Sequence, residues 1–330
     1  MEKEVLIANA LWGTSCSVAI AANVVLFCIV AFRPSKQLGW CSNILFCIIV
    51  GDILFCLDSI AIAPFFHNEL HMVFIICFGP FSAPPLGGWL LLAWTTLYSC
   101  EMGFVAIAFA YRYCAVAKPS RTVLFASPLF VATIATLALV EGTAAFFNGM
   151  HTEQAGFDWP EIEQFYSNHY YYITDARRIA PINWLATAFV CFMEQLKVSS
   201  IFFFGFRIHS FIARTTFSPA AKSLHRKALL VLSLQALNSL FFCFVPPTEH
   251  YLGLVVDTRG WAPINFISCL HSLNNPIIVI ALTDDYRRLF THRLPRLLGC
   301  RNPFIPPSHQ MGVTTITVSP TGGSAENSRI

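Results

Sequence analysis

Four polar side chains sit inside long apolar runs of this chain, and their types and spacing could do chemistry. Glu101 stands eleven residues before Arg112, Asn275 ten before Asp285, Asn23 ten before Arg33, and Asp52 fourteen after Leu38. At about 1.5 Å of rise per helical residue, Glu101 lies ~16 Å, Asn275 and Asn23 ~15 Å and Asp52 ~21 Å from one end of their segments. A hydrocarbon core about 30 Å thick has its midplane near 15 Å. Asn23, Asp52, Glu101 and Asn275 are therefore expected to meet near one level as a buried polar cluster. Two neighbouring carboxylates do not both ionise without a counter-charge. The chemistry expected of Asp52 and Glu101 is to hold a sodium ion or to share a proton. The alternative is that each is satisfied locally by Ser, Thr or backbone groups.

Other polar residues invite narrower readings. Glu194 and Lys197 are three apart in an apolar run, close enough on one helix face to neutralise each other. Arg112, flanked by Tyr111 and Tyr113 and followed by Lys118, Pro119 and Arg121, ends another run. It is either a topology anchor or a docking and switch residue for a partner. Phe244, Pro246 and Pro247, and later Asn274, Asn275 and Pro276, mark places where a helix can bend because proline frees backbone groups. Trp94, Tyr98, Trp184, Phe244 and Asn265 fall in the other halves of their segments, as do Trp89 and Trp261. They could line a largely apolar ligand pocket, or form an interfacial aromatic belt. No Walker loop, catalytic triad or metal-ligand cluster occurs, so neither enzymatic chemistry nor a cofactor is expected.

The elements that must carry these residues follow from composition. Of 330 residues, 55% are hydrophobic and only 12% charged, about half the charge of an ordinary soluble chain. Repeated apolar windows of about 20 residues indicate a polytopic membrane protein. Seven spans are expected, at 5–32, 38–63, 86–110, 123–147, 183–206, 228–247 and 262–283. The fold class is thus all-α, a seven-helix transmembrane domain over 1–290 with a tail over 291–330. The N-terminus lacks a basic region and a cleavage site, and reads as a short tail before an uncleaved first span. Sixteen Lys and Arg residues fall on one side of the seven spans and four on the other. That bias puts the N-terminus outside and the C-terminus in the cytosol, opposite to the seven-helix insect odorant channels. Asp285 to Leu298 alternates Arg with Leu and Phe, as a helix lying on the inner membrane surface would. Cys300 beyond it is a lipidation candidate, and Gly312 to Ile330 is expected to be disordered. The net charge of +3 implies no nucleic-acid partner. The 12 cysteines include no CxxC, and most behave as small hydrophobes within the runs.

Taken together, the motifs resemble those of a G-protein-coupled receptor. Cys243-Phe244-Val245-Pro246 resembles the family's Cys-Trp-x-Pro, and Asn275-Pro276 the start of Asn-Pro-x-x-Tyr, with Val279 in place of an aromatic continuation. Tyr111-Arg112-Tyr113 stands where Asp-Arg-Tyr would be. These departures are most similar to the nematode serpentine chemoreceptors of the Str/Srd/Srj class. The similarity runs through Leu38-Gly39, Asp52-Ile53-Leu54, Ala115 to Pro119, Ser218, Leu229 to Gln235 with Pro246 beyond, and Asp285-Tyr286-Arg287-Arg288, covering about residues 10 to 290.

The resemblance implies a chemosensory receptor of the plasma membrane, in sensory cilia, that detects an external small molecule and activates a heterotrimeric G protein. It implies a docking and switch site at Tyr111, Arg112 and Tyr113 and hinges at Phe244, Pro246, Asn275 and Pro276. Partners implied are the G protein, the ligand and membrane lipids. The usual receptor disulfide is not expected, since no Cys stands at the outer end of span three or between Asn148 and Val190. Span seven has no Lys for a retinal Schiff base, and span three no outer Asp for an amine. Two rivals remain: a transporter or ion channel using Asp52, Glu101, Glu141 and Glu194-Lys197 as a charge path, and a receptor-like protein that no longer signals.

Overall fold

The computed structural model describes residues 2–32, 41–69, 72–150, 171–175, 181–245, 248, 260–261 and 264–289. Seven helices form a transmembrane bundle: α1 (Glu2–Phe32), α2 (Cys41–Ile62), α3 (Leu86–Ala117), α4 (Pro128–Met150), α5 (Pro181–Arg214), α6 (Pro219–Ser239) and α7 (Ile264–Leu282). Six are long and apolar enough to cross a membrane, α6 together with its π-helical continuation Leu240–Phe244. The seventh contributes the shorter apolar stretch Leu270–Leu282. Helices suit this setting because hydrocarbon offers the backbone no partners, so every N–H and C=O must be bonded within the segment. A short helix α8 (Asp284–Arg288) follows α7. The chain divides at Arg287, and the second unit, Arg288–Ile330, contributes only residues 288 and 289 to the described structure. Cys300 and most of the expected surface helix lie outside the described residues.

The helix starts have local causes. Pro128, Pro181 and Pro219 open α4, α5 and α6, where the missing N–H costs nothing and φ is already helical. Ser218 caps α6, its Oγ accepting from Ala221 N at 3.3 Å. α2 ends at Ala63, which has a φ of 42°.

Several boundaries differ from the sequence expectation. α3 runs seven residues past 110, to Ala117, so Tyr111, Arg112 and Tyr113 lie inside the helix rather than at its edge. A 3-10 segment (Pro119–Ala126) occupies the stretch in which span four was expected to begin. α5 continues to Arg214 and α6 begins at Pro219, both beyond the apolar runs. Helix propensity and capping carry these turns, whereas hydropathy alone stops at the first charges.

The all-helical reading gains one addition. β1 (Pro64–Glu69) and β2 (Met72–Cys77) form an antiparallel hairpin with Pro64 opposite Cys77 and Glu69 opposite Met72. β3 (Tyr171–Asp175) and β4 (Gly260–Trp261) extend it to a sheet of order β3-β2-β1-β4. The sheet ties together the connections α2–α3, α4–α5 and α6–α7 at one end of the bundle.

α1 packs on α2 and α7, α3 on α2, α4, α5 and α6, and α6 on α7, so the ring closes around α3. Small residues allow close approach. A Cβ on Gly142 of α4 would lie 2.6 Å from Thr96 Cα of α3, and Thr95 Oγ1 donates to Gly142 O at 3.3 Å. Large apolar residues such as Phe202, Phe203, Phe206 and Leu129 remain exposed on the outer faces, as a lipid environment requires.

Candidate functional site

At the centre of the bundle α2, α3 and α7 each contribute one buried ionisable side chain: Asp52, Glu101 and His271. His271 Nδ1 lies 3.8 Å from Asp52 Oδ1 and 3.8 Å from Glu101 Oε2. One ligating atom from each residue lies within 4.8 Å of the others. Among the described residues, no N–H or O–H group donates to Asp52 Oδ1, and Glu101 has a donor only if the two acids share a proton. Burying carboxyl groups in this way is costly unless a cation or a proton balances them.

The rest of the centre is held by a chain of amides. Asn275 Nδ2 donates to Asp52 Oδ2 at 3.2 Å, and Asn275 Oδ1 accepts from Asn238 Nδ2 at 3.1 Å. Asn274 Nδ2 in turn donates to Asn238 Oδ1 at 3.1 Å. Ser239 Oγ lies 2.9 Å from His271 Nε2, so α6 fixes the imidazole from the side opposite the carboxyls. Asn23 lies at the same level but meets α7 through its backbone, donating to Ser272 O at 2.8 Å. The structure thus brings Asp52, Glu101 and Asn275 together, with Asn23 one residue away along α7. His271, Asn238 and Ser239 were absent from the sequence-based set. His271 precedes Asn275 by four residues and so shares its helix face, a spacing that could have found it.

A second polar cluster joins α3, α4 and α5. Lys197 Nζ donates to Glu141 and Glu194, each at 2.9 Å, and lies 2.9 Å from Ser99 O and 3.0 Å from Ser99 Oγ. The pairing of Glu194 with Lys197 follows from their spacing of three; Glu141 and Ser99 come from other helices and complete the shell.

At the bundle end remote from the sheet, Arg112 is buried on α3 and its Nη2 lies 3.4 Å from His225 Nδ1 of α6. Its stem lines a cavity of about 50 Å³ shared with Ile48 of α2, Gln235 of α6 and Val279 and Thr283 at the end of α7. Lys227 bonds Asp284 across the same end, and Arg287 bonds that carboxylate from α8 at 2.8 Å. Tyr111 packs edge-on against Phe125 of the 3-10 segment, and Tyr113 against Phe204 of α5.

The matching model is that of the serpentine type seven-transmembrane GPCR chemoreceptor Str, over residues 11–291. The chain belongs to this family. Among curated proteins no match is found. This Str chemoreceptor is therefore a multi-pass membrane protein with a receptor role in sensory signalling, from a family that is not enzymatic.

The pocket candidates of the receptor occupy separate places. Trp94 and Tyr98 stack with ring centroids 5.2 Å apart and pack on Phe55 of α2. The Trp94 indole N–H donates to Ser59 Oγ at 3.0 Å. Tyr98 OH donates to Cys243 O, within the π-helical stretch, at 2.6 Å. Phe244 instead packs against the buried cluster at the α3–α5–α6 contact, which includes Met102 and Ile201. Trp184 is largely exposed on α5. Asn265 lies in the first turn of α7, its side chain outside the described set, and Pro246 is also outside it. Pro276 is buried within α7.

Proposed function

We propose that this receptor detects an external small molecule at the plasma membrane of a sensory cilium and activates a heterotrimeric G protein, with its N-terminus outside and its C-terminus in the cytosol. The observation that carries the coupling reading is the placement of Arg112. A guanidinium is buried in the last turns of α3, and the side-chain partner it faces among the described residues is one imidazole on α6, His225. A cation held by that contact is available to a partner that enters when α6 moves away from α3. The orientation rests on the sixteen-to-four distribution of Lys and Arg, which puts the Arg112 end in the cytosol and the sheet outside.

A ligand drives such a change only through different affinities for the two helix packings. Tyr98 offers a route from the sheet end, because its hydroxyl bonds the π-helical stretch of α6; π-bulges are common where helices serve function. The transporter reading is less well supported. Glu141, Glu194 and Lys197 are engaged with one another rather than strung along a path. The tail over 291–330, with Cys300 as a lipidation candidate, is a cytosolic segment in this scheme.

The test is guanine-nucleotide exchange on several purified heterotrimers by membranes carrying the receptor. Exchange above empty membranes that Arg112→Ala removes at equal expression supports the reading. Absence of exchange across all subtypes, with sodium or proton flux sensitive to Asp52→Asn, overturns it in favour of transport.

A further inference from the structure

We propose that Asp52, Glu101 and His271 form a binding site for a divalent transition-metal ion with the ligand preferences of Zn²⁺. The inference does not depend on G-protein coupling and concerns the occupant of the central cluster. Charge balance comes first. Two carboxylates in hydrocarbon need two positive charges, and the described residues place no Lys or Arg within salt-bridge range of either acid; His271 is their one basic neighbour. A divalent ion neutralises both while leaving the imidazole neutral. A monovalent ion leaves one charge over, so one of the two acids would have to stay protonated beside it.

Ligand type comes second. Sodium, magnesium and calcium take oxygen ligands, whereas imidazole nitrogen suits zinc, copper, iron and nickel. Here one donor of three is a nitrogen, and it faces the other two. A tetrahedral site with bonds of about 2.0 Å sets its ligand atoms about 3.3 Å apart. The two distances of 3.8 Å from His271 Nδ1, and the 4.8 Å within which all three donor atoms lie, are longer than that, so the donors must draw in by about 0.5–1.5 Å to hold an ion. Three protein ligands leave a position for water or for the second Glu101 oxygen.

The surroundings already orient the donors as metal ligands are oriented. With the imidazole protonated at Nε2, that N–H donates to Ser239 Oγ at 2.9 Å, and Nδ1 keeps its lone pair toward the acids. Asn275 occupies Asp52 Oδ2 and leaves Oδ1 for the ion. The atoms without a protein donor, Asp52 Oδ1, both Glu101 oxygens and His271 Nδ1, are those an ion would use. Because the ligands come from three helices, the ion cross-links α2, α3 and α7 and favours the packing described.

The experiment uses the full-length receptor, purified in detergent, stripped with a chelator and titrated with Co²⁺ and then Zn²⁺. Expected are one equivalent of Co²⁺ with the visible d–d absorption of a low-coordinate site, its displacement by Zn²⁺, and a higher thermal midpoint. His271→Gln should abolish the band. Ser239→Ala, which removes no ligand, should weaken binding about 10–100-fold. His271→Cys should keep the ion and add an intense thiolate-to-Co²⁺ charge-transfer band, identifying position 271 as a ligand even if His271→Gln folds poorly. The proposal is overturned if wild type shows no Co²⁺ band, if the band persists in His271→Gln because cysteines elsewhere bind the ion, or if only sodium or pH shifts the thermal midpoint.

Discussion

Asn23 Nδ2 donates to Ser272 O at 2.8 Å, and Ser272 is the residue four before Pro276, whose missing N–H would otherwise bond that carbonyl. A side chain of α1 thus repairs the backbone defect that proline makes in α7. Next to it, Asn238 Nδ2 donates to His271 O at 3.0 Å, so α6 supports the neighbouring carbonyl. The proline turn of α7 is held by amides from two other helices, and the same stretch of α7 carries His271 and Asn275 into the central cluster.

This relationship makes a sharp prediction for a double-mutant cycle. Asn23→Ala leaves Ser272 O unpaired in hydrocarbon and should cost about 1–3 kcal/mol. With Pro276→Ala in the background, the restored N–H reaches Ser272 O, and the cost of Asn23→Ala should shrink. Thermal unfolding of the four purified variants measures the coupling. Equal costs in both backgrounds would show that Asn23 acts elsewhere.

Lys197→Met should be far more damaging than its partly buried position suggests. It strands Glu141 and Glu194 without their cation, and breaking such a buried pair costs about 3–5 kcal/mol. Surface expression and thermal midpoint should fall together. Removing the acids at the same time, with Glu141→Gln and Glu194→Gln, should recover most of the loss. A triple variant no better than Lys197→Met would contradict the charge-balance account.

Gly142 and Gly13 make a controlled pair. A Cβ at Gly142 would collide with the Thr96 backbone, whereas one at Gly13 meets nothing within 4 Å. Gly142→Ala should lower the thermal midpoint by prising α4 from α3, and Gly13→Ala should leave it unchanged or slightly raised through helix propensity. Similar behaviour of the two would mean that the α3–α4 approach is looser than described.

Ala63 ends α2 with a φ of 42°, in the left-handed region that a Cβ makes unfavourable by about 1–2 kcal/mol. Ala63→Gly should therefore stabilise the receptor by about 1 kcal/mol, after allowing for glycine's extra freedom when unfolded. A destabilised variant in the same unfolding assay would argue that Ala63 is not in this conformation.

Much of this arrangement was legible in the sequence, for identifiable reasons. The α-helix fixes the rise and the membrane the core thickness, so counting residues from the segment ends put Asp52, Glu101 and Asn275 near one level. Spacing of three was enough to pair Glu194 with Lys197. His271 escaped notice because a neutral imidazole in an apolar run raises no charge alarm, although its distance of four from Asn275 puts it on the same face. Glu141 joins Lys197 from a different helix, a contact that no local pattern encodes. The sheet pairs strands from three separate connections, and PFFHNE and MVFIIC carry no sign of which partners they choose. Helix extensions past 110 and 206 escaped because hydropathy marks where apolar residues stop, while α3 and α5 end several residues beyond that point, at Ala117 and Arg214.

Release of Arg112 from His225 to a G protein, as proposed, is decided by nucleotide exchange with variants on both sides of their contact. In membranes of equal receptor content, His225→Ala should raise ligand-free exchange severalfold by removing the imidazole 3.4 Å from the guanidinium. Arg112→Ala should abolish exchange, and the double variant should match Arg112→Ala. Exchange that persists in Arg112→Ala, or that is unchanged by His225→Ala while Arg112→Ala is silent, would contradict the latch.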